Sequence, residues 1–422
     1  MSEASSIAKV GALLVLSSVV LGALLNRKKR RASSNGLRGV TDAQVERLSE
    51  GTMIALEETD AFCNQVAGHT NEKMLTYRGL VLKPIIKPLY FFRELALYNK
   101  MKDAGSHWTQ SLKPFTAEFS GLYIAKRAIV VTSKNNSDDD KKERSSLETF
   151  LESHLVYLGM EDLSRSFVKP CVMDIKMGTQ TYEPNANEAK KRKEVIKCPY
   201  QSETGFRLVG LKAYDVRCDK HGWLSKHFGR RIEPSMAFAA LALCFFDGVC
   251  IRRDVVTVAI QKLERIHLWF KSQNSVHFYC SSILIAYDGF VGDSYSRKHF
   301  RGEDGQHFLK SLPSHFPPTH EKIDLGGEEQ ESGVAKNDVN DFVGDSTKRS
   351  STMKESSSGS SSMEELHDRV HVKMIDFAHA LVNPGLGLDT GYLKGIQNLI
   401  SKLHQILLMD DLDISQLIIT GK

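Results

Sequence analysis

The 422-residue chain has no C-x-x-C pair among its seven cysteines, and an odd number cannot all pair internally. Several of them, such as Cys244 and Cys280, lie inside apolar runs. Both facts argue against a disulfide scaffold and for buried free thiols in a reducing compartment. The sequence contains no internal repeat. Its net charge is only +5, so composition demands no nucleic-acid partner and none is expected. His267 and His277 lack metal-ligand spacing and read as packing or surface histidines. Charge-free apolar runs are short. The longest, Val10 to Leu25, falls below the ~20 residues that usually cross a bilayer.

That run is followed directly by Arg27-Lys28-Lys29-Arg30-Arg31. A secretory signal would carry its basic residues before the apolar core, so residues 10–25 read as an uncleaved N-terminal transmembrane helix. The positive flank then places the bulk of the chain in the cytosol. The basic cluster also reads as a nuclear-import signal, with a nuclear pool as the consequence.

What is present is an ordinary globular composition, 41% hydrophobic and 25% charged. Residues 1–31 read as membrane anchor with basic flank and 32–60 as a polar linker. Gly79 to Pro84 reads as a strand, Phe91 to Lys100 as a helix, and Tyr123 to Thr132 as a strand. Leu155 to Met160 and Pro170 to Lys176 are further strands. Pro234 to Asp247 and Val255 to Ser272 suit helices, Phe278 to Tyr287 and Val370 to Phe377 strands, and Gly391 to Leu412 a closing helix. Residues 301–365, with the run SSSGSSS and few apolar side chains, read as a disordered insertion. Strands first and helices later point to α+β rather than a doubly wound sheet.

Chemistry concentrates in two segments. In Pro170-Cys171-Val172-Met173-Asp174-Ile175-Lys176-Met177-Gly178, Asp174 and Lys176 stand two apart, so on a strand they share one face. Phosphoryl transfer needs such a pair, because it is mostly positioning and charge neutralisation; a surface ion pair is the plainer reading. In Met374-Ile375-Asp376-Phe377-Ala378-His379, an Asp after an apolar strand and before Phe suits a magnesium ligand. Alone, that tripeptide is a weak signal.

Together these segments resemble the inositol polyphosphate kinase family, whose hallmark P-x-x-x-D-x-K-x-G stands at Pro170 to Gly178. Gln65 to His69, Leu82-Lys83-Pro84, Ser281-Ser282-Ile283-Leu284, Ile375 to His379 and Asp389 to Tyr392 resemble further family segments in the same order. The resemblance implies an α+β, two-lobed protein-kinase-like (ATP-grasp/kinase-like) fold. It would have an antiparallel N-lobe sheet (61–163), a C-lobe (164–300 and 366–422) and a small helical inositol-binding insertion (183–200). It implies ATP and Mg2+ as cofactors. Val81 and Lys83 would meet the nucleotide, and Glu161, Asp162 and Leu163 its adenine. Asp174 would hold the ribose, Lys176 the phosphates at the reacting centre and Asp376 the metal. His379 would lie beside the inositol ring, and Ser282 belongs to the catalytic floor. Lys190, Lys193 and Lys197 share one helical face and would bind substrate phosphates; a solvated basic helix is the plainer alternative.

The segment after Gly178 is too compact to resemble the trisphosphate kinases, a compactness the hexakisphosphate kinases share, while Tyr182 to Ala186 and Gly205 to Gly210 resemble the multikinases more closely. The expected partner is an inositol polyphosphate, met by a monomeric catalytic domain tethered to a membrane through residues 10–25. The alternatives are a hexakisphosphate kinase, a membrane-anchored phosphoinositide kinase, and a non-catalytic scaffold that would not need nucleotide.

Overall fold

The computed structural model describes residues 42–67, 73–103, 107–127, 146–224, 229–230, 232–290, 366–383 and 385–410. The segment 10–25, the insertion expected over 301–365, Gly68, His69 and residues 128–132 all lie outside them.

The N-terminal lobe is built on a six-stranded sheet in the order β1-β5-β6-β4-β3-β2. Its strands are β1 (Thr52–Ile54), β2 (Asp60–Ala61), β3 (Leu75–Tyr77), β4 (Leu80–Pro84), β5 (Phe119–Lys126) and β6 (His154–Glu161). β1 and β5 run parallel and the other neighbours antiparallel. Helices α1 (Asp42–Ser49), α2 (Pro88–Lys102), α3 (His107–Leu112) and α4 (Ser146–Ser153) complete it. Thus the segment expected as a linker up to residue 60 supplies a helix and strands: Leu48 is fully buried and Ile54 packs beside Tyr77 and Leu82. Val45 and Leu56 pack beside Leu48 and Ile54, so a few apolar side chains anchor the stretch.

The C-terminal lobe holds a five-stranded antiparallel sheet in the order β12-β11-β7-β8-β9. These are β7 (Pro170–Met177), β8 (Phe206–Asp215), β9 (Lys220–Leu224), β11 (Ser282–Asp288) and β12 (Val370–Ile375), with β10 (Val276–Phe278) pairing β13 (Ala380–Val382) apart from it. The helices are α5 (Glu188–Lys197), α6 (Gln201–Thr204), α7 (Ala237–Phe245), α8 (Arg253–Ser272) and α9 (Thr390–Leu408). The run expected as one strand, Phe278 to Tyr287, divides into β10 and β11, because Cys280 between them is left-handed at φ 55°.

The longest helices are amphipathic. α8 buries Val256, Leu263, Ile266 and Phe270, while α9 buries Ile396, Leu399 and Leu403 at three- and four-residue spacing. Asp389 caps α9 through the Tyr392 N–H at 3.0 Å and also accepts the Phe278 N–H at 2.8 Å. A Cβ on Gly391 would come within 2.7 Å of Thr179 Oγ1, so this first turn is glycine for close approach. The D-x-G-Y segment therefore serves packing, with Tyr392 stacked on Phe270 at 4.2 Å.

One expectation is corrected. Among the described residues no helix is long and apolar enough to cross a membrane, because the long helices carry charged stripes. The transmembrane helix, the tether through residues 10–25 and the membrane-anchored localisation are accordingly dropped from the fold and function described here.

Candidate active site

Strand register assembles the floor of the cleft. β11 lies between β7 and β12, and Ser282 stands opposite Lys176 on one side and Ile375 on the other. Asp376 follows Ile375 directly, so Lys176, Ser282 and Asp376 lie abreast at one end of the sheet. Leu284 stands opposite Asp174, two residues further in. On the far side, β8 carries one extra residue where Asp174 pairs with Gly210 and Ile175 with Leu208. Such bulges re-aim side chains. Gly178 ends the hallmark at φ 93°, a conformation that favours glycine and turns the chain out of β7.

The N-terminal lobe contributes Lys83 from β4. Its Nζ donates to both oxygens of Glu94 on α2, each at 2.9 Å, and to Asp376 Oδ1 at 2.7 Å. Burial alone would lower the Lys83 pKa, but Asp376 and Glu94 hold it above the ordinary lysine value. Glu94 is 3% exposed and also accepts the Phe377 N–H at 3.2 Å. One acid thus clamps the lysine of one lobe to the backbone beside the aspartate of the other.

The two aspartates titrate in opposite directions. Burial, then the neighbouring Asp376 charge, raises Asp174 to about 6 against the pull of Lys176. Asp376 is raised by burial but lowered further by Lys83 and Lys176, so it sits below the ordinary carboxylate value. Its side chain is 36% open to the cleft. It also adopts φ 64°, and with Cys280 it is one of two left-handed non-glycine residues at this edge. Asp174 Oδ1 and Ser282 Oγ are buried with no hydrogen-bond partner beyond each other among the described residues, so both have capacity left for a ligand. Lys176 Nζ rests on Cys280, at 2.9 Å from its carbonyl and 3.3 Å from Sγ. Its pKa is lowered by burial and raised more by Cys280, Asp376 and Asp174.

The rim of the cleft is charged. Glu183 Oε1 accepts His379 Nδ1 at 2.7 Å and Arg93 Nη1 at 2.8 Å. His379 lies 4.2 Å from the Tyr90 ring, and Lys87, Arg93 and Lys190 all sit within 5.8 Å of that ring. Asn187 caps α5 on the Lys190 N–H at 2.8 Å. Lys190 then reaches Tyr90 Oη at 3.3 Å, while Lys197 is held by Glu194 at 2.6 Å and Lys193 is exposed.

The structure thus draws together Lys83, Asp174, Lys176, Ser282 and Asp376, with His379 and Lys190 at the rim. Val81 is buried on β4 across from Met160, and Leu80 faces Glu161 at the end of β6. Glu161 already donates its N–H to Glu118 O at 2.8 Å, and Leu163 is buried beyond it. Sequence reasoning missed Glu94, Arg93, Tyr90 and Glu183. It also missed Arg207, which faces Lys176 across β8 and has a buried, unpartnered Nη1. Glu94 carried a signal: it is an acid on the apolar face of a helix, eleven residues after the lysine it pairs.

A divalent cation fits this floor. Asp376 is partly open, is kept ionised by Lys83 and Lys176, and stands close enough to Asp174 to raise that group's pKa; a carboxylate of this kind can serve a hard cation whose other ligands are phosphate oxygens and water. No cluster of three or more acidic, His or Cys ligands occurs among the described residues.

The sequence profile of the inositol polyphosphate kinase family matches residues 157–404, more than half of the chain. The inositol polyphosphate multikinase of Homo sapiens is 28% identical over 390 residues, covering 82% of this chain and 88% of that protein. The multikinase of Mus musculus is 29% identical over 289 residues, covering 60% and 72%. Inositol hexakisphosphate kinase 1 of Mus musculus is 29% identical over 260 residues, covering 59% of this chain and 51% of that protein. A solved inositol phosphate multikinase from S. cerevisiae, in complex with ADP and Mn2+, aligns with a TM-score of 0.45 and 17% identity over 78% of this chain and 99% of that one.

Proposed function

The chain belongs to the inositol polyphosphate kinase family and is an inositol polyphosphate kinase, and on that premise we propose that it is of multikinase type. It would carry the γ-phosphoryl of ATP to inositol trisphosphate and tetrakisphosphate, ending at pentakisphosphate. The observation that carries the phosphoryl-transfer reading is the Lys83–Glu94–Asp376 bridge across the cleft. It sets a phosphate-binding cation against a carboxylate that is kept ionised and partly open. Multikinase type is favoured over hexakisphosphate kinase because this chain aligns with 88% of the human multikinase but 51% of the murine hexakisphosphate kinase.

In this reading Lys83 binds nucleotide phosphates and Asp376 is the metal ligand, while Val81, Glu161 and Leu163 border the adenine. Asp174 holds the ribose hydroxyls, for which its Oδ1 has acceptor capacity left. Lys176 and Ser282 lie beside the transferring phosphoryl, and positive charge there offsets the charge spread over its equatorial oxygens. Lys190, Lys193 and Lys197 take ring phosphates through charge-assisted bonds, and His379 borders the ring. Asp376 would hold magnesium, which would supply positive charge to offset that of the nucleotide phosphates.

The test supplies Mg-ATP to the full chain with inositol tris-, tetrakis-, pentakis- or hexakisphosphate separately and resolves the products by chromatography. Stepwise conversion of trisphosphate to pentakisphosphate supports the proposal. Product from hexakisphosphate alone would move the chain to the pyrophosphate-forming branch. Binding without product would leave a scaffold.

A further inference from the structure

The reacting hydroxyl must lose a proton, and the floor of the cleft supplies no free base for it. Lys83 and Lys176 are held as cations, Asp376 is occupied by Lys83, and Asp174 is buried on the floor. The rim supplies one. His379 and Glu183 come from different segments: Glu183 follows the β7 turn and His379 follows β12. Their side chains are 18% and 13% exposed. Glu183 is fixed a second time by Arg93 from α2, so the pair is held from the opposite lobe. Tyr90 packs against the imidazole and limits its rotation. The His379 carbonyl is tied to the Tyr279 N–H at 3.4 Å.

We infer that Glu183 is a positioning residue that fixes His379 as the proton acceptor for the inositol hydroxyl. The inference rests on the kinase reading above. A carboxylate 2.7 Å from Nδ1 accepts a proton from it, so Nδ1 carries the hydrogen and Nε2 keeps its lone pair. In the step, the hydroxyl proton passes to Nε2 while the hydroxyl oxygen bonds to the γ-phosphorus. The bond from that phosphorus to the bridging oxygen breaks, and its electron pair leaves with ADP. The resulting imidazolium is stabilised by Glu183 and loses its proton to solvent. The surroundings agree. Burial keeps His379 neutral and outweighs Glu183, with Lys190 and Lys176 adding to the effect. Burial raises the Glu183 pKa, but the bonds from His379 and Arg93 bring it below the ordinary value. The charged groups facing this imidazole are therefore Glu183, Lys190, Lys176 and Asp376, with Arg93 behind Glu183.

Glu183→Gln keeps the shape and removes the charge. With saturating Mg-ATP, kcat for inositol trisphosphate should fall about 10–100-fold, reaching at most the lower end of the roughly 10²–10⁴-fold that general acid–base assistance contributes because His379 itself is retained, with KM changing less than twofold. The acid limb of the kcat profile should move to lower pH, because the imidazolium has lost its anionic partner. Glu183→Asp should recover part of the rate. Independently of turnover, 15N-detected imidazole spectra of the wild-type chain, assigned with His379→Gln, should show the Nδ1–H form. They should show its loss in Glu183→Ala, whose side chain offers no acceptor to Nδ1. An Nε2–H form in the wild type would overturn the inference while leaving the kinase reading intact, as would an unmoved acid limb or an effect on KM alone. A wild-type chain that phosphorylates no inositol phosphate would overturn both.

Discussion

The floor and the rim of the cleft are built on opposite principles. On the floor, β7 and β11 bury Asp174 and Ser282 with no partner beyond each other, and Asp376, held ionised by Lys83 and Lys176, raises the Asp174 pKa. At the rim, charges are satisfied locally: Lys197 by Glu194, Lys191 by Glu188, and Glu183 by Arg93 and His379. A floor of this kind costs stability and is completed only by ligand. The rim is satisfied by itself: its lysines can trade carboxylate partners such as Glu194 for substrate phosphates, whereas the Glu183–His379 contact, with side chains 13% and 18% exposed, stays in place. Tight chemistry and broad anion capture are thereby divided between two regions.

The comparison can be tested from its floor upward. Asp376→Asn should lower kcat by about 10³-fold or more, since the reading makes it the metal ligand. Its half-open side chain predicts an unchanged fold by circular dichroism. Near-wild-type turnover would move the metal elsewhere. Lys83→Met should reduce kcat/KM for ATP by roughly 10²-fold, a loss of about 3 kcal/mol in transition-state stabilisation. Glu94→Gln should reproduce most of that loss although it touches no phosphate. If Glu94→Gln leaves ATP kinetics intact, the bridge across the lobes is packing rather than chemistry.

At the rim, Lys190→Ala with Lys197→Ala should raise KM for inositol trisphosphate about tenfold while changing KM for ATP less than twofold, since each lost phosphate contact removes on the order of 1 kcal/mol. Lys197→Ala alone should do less than Lys190→Ala, because Glu194 already holds Lys197. The smallest effect is on stability. Asp174 has a folded pKa raised from 3.8 to about 6. Its ionisation therefore costs stability as pH rises through that window, and the full cost is present above it. Asp174→Asn should raise the melting temperature at pH 7.5 by a few degrees, on the order of 1–2 kcal/mol, and confer no advantage near pH 4. Equal melting curves at both pH values would show that the floor is not under this strain.

By itself the sequence determined many of the elements and the residue types they carry. Strand β7 with Asp174 and Lys176 on one face, Asp376 after an apolar strand, and the amphipathic helices α8 and α9 all follow from local periodicity, which a chain carries in its own order. The basic face of α5 was legible for the same reason. Tertiary structure alone decided partnership. Glu94 joins Lys83 and Phe377, and Glu183 joins His379 and Arg93, across separations of 283 and 196 residues at their widest. No periodicity records such distances. At the N-terminus, the polar, partly helical stretch read as a linker supplies a helix and strands, with Val45, Leu48, Ile54 and Leu56 packed into the cores. Pairing depends on register between strands distant in sequence and on burial, which strengthens an ion pair and shifts its titration. Both come into being only when the sheet closes and water leaves.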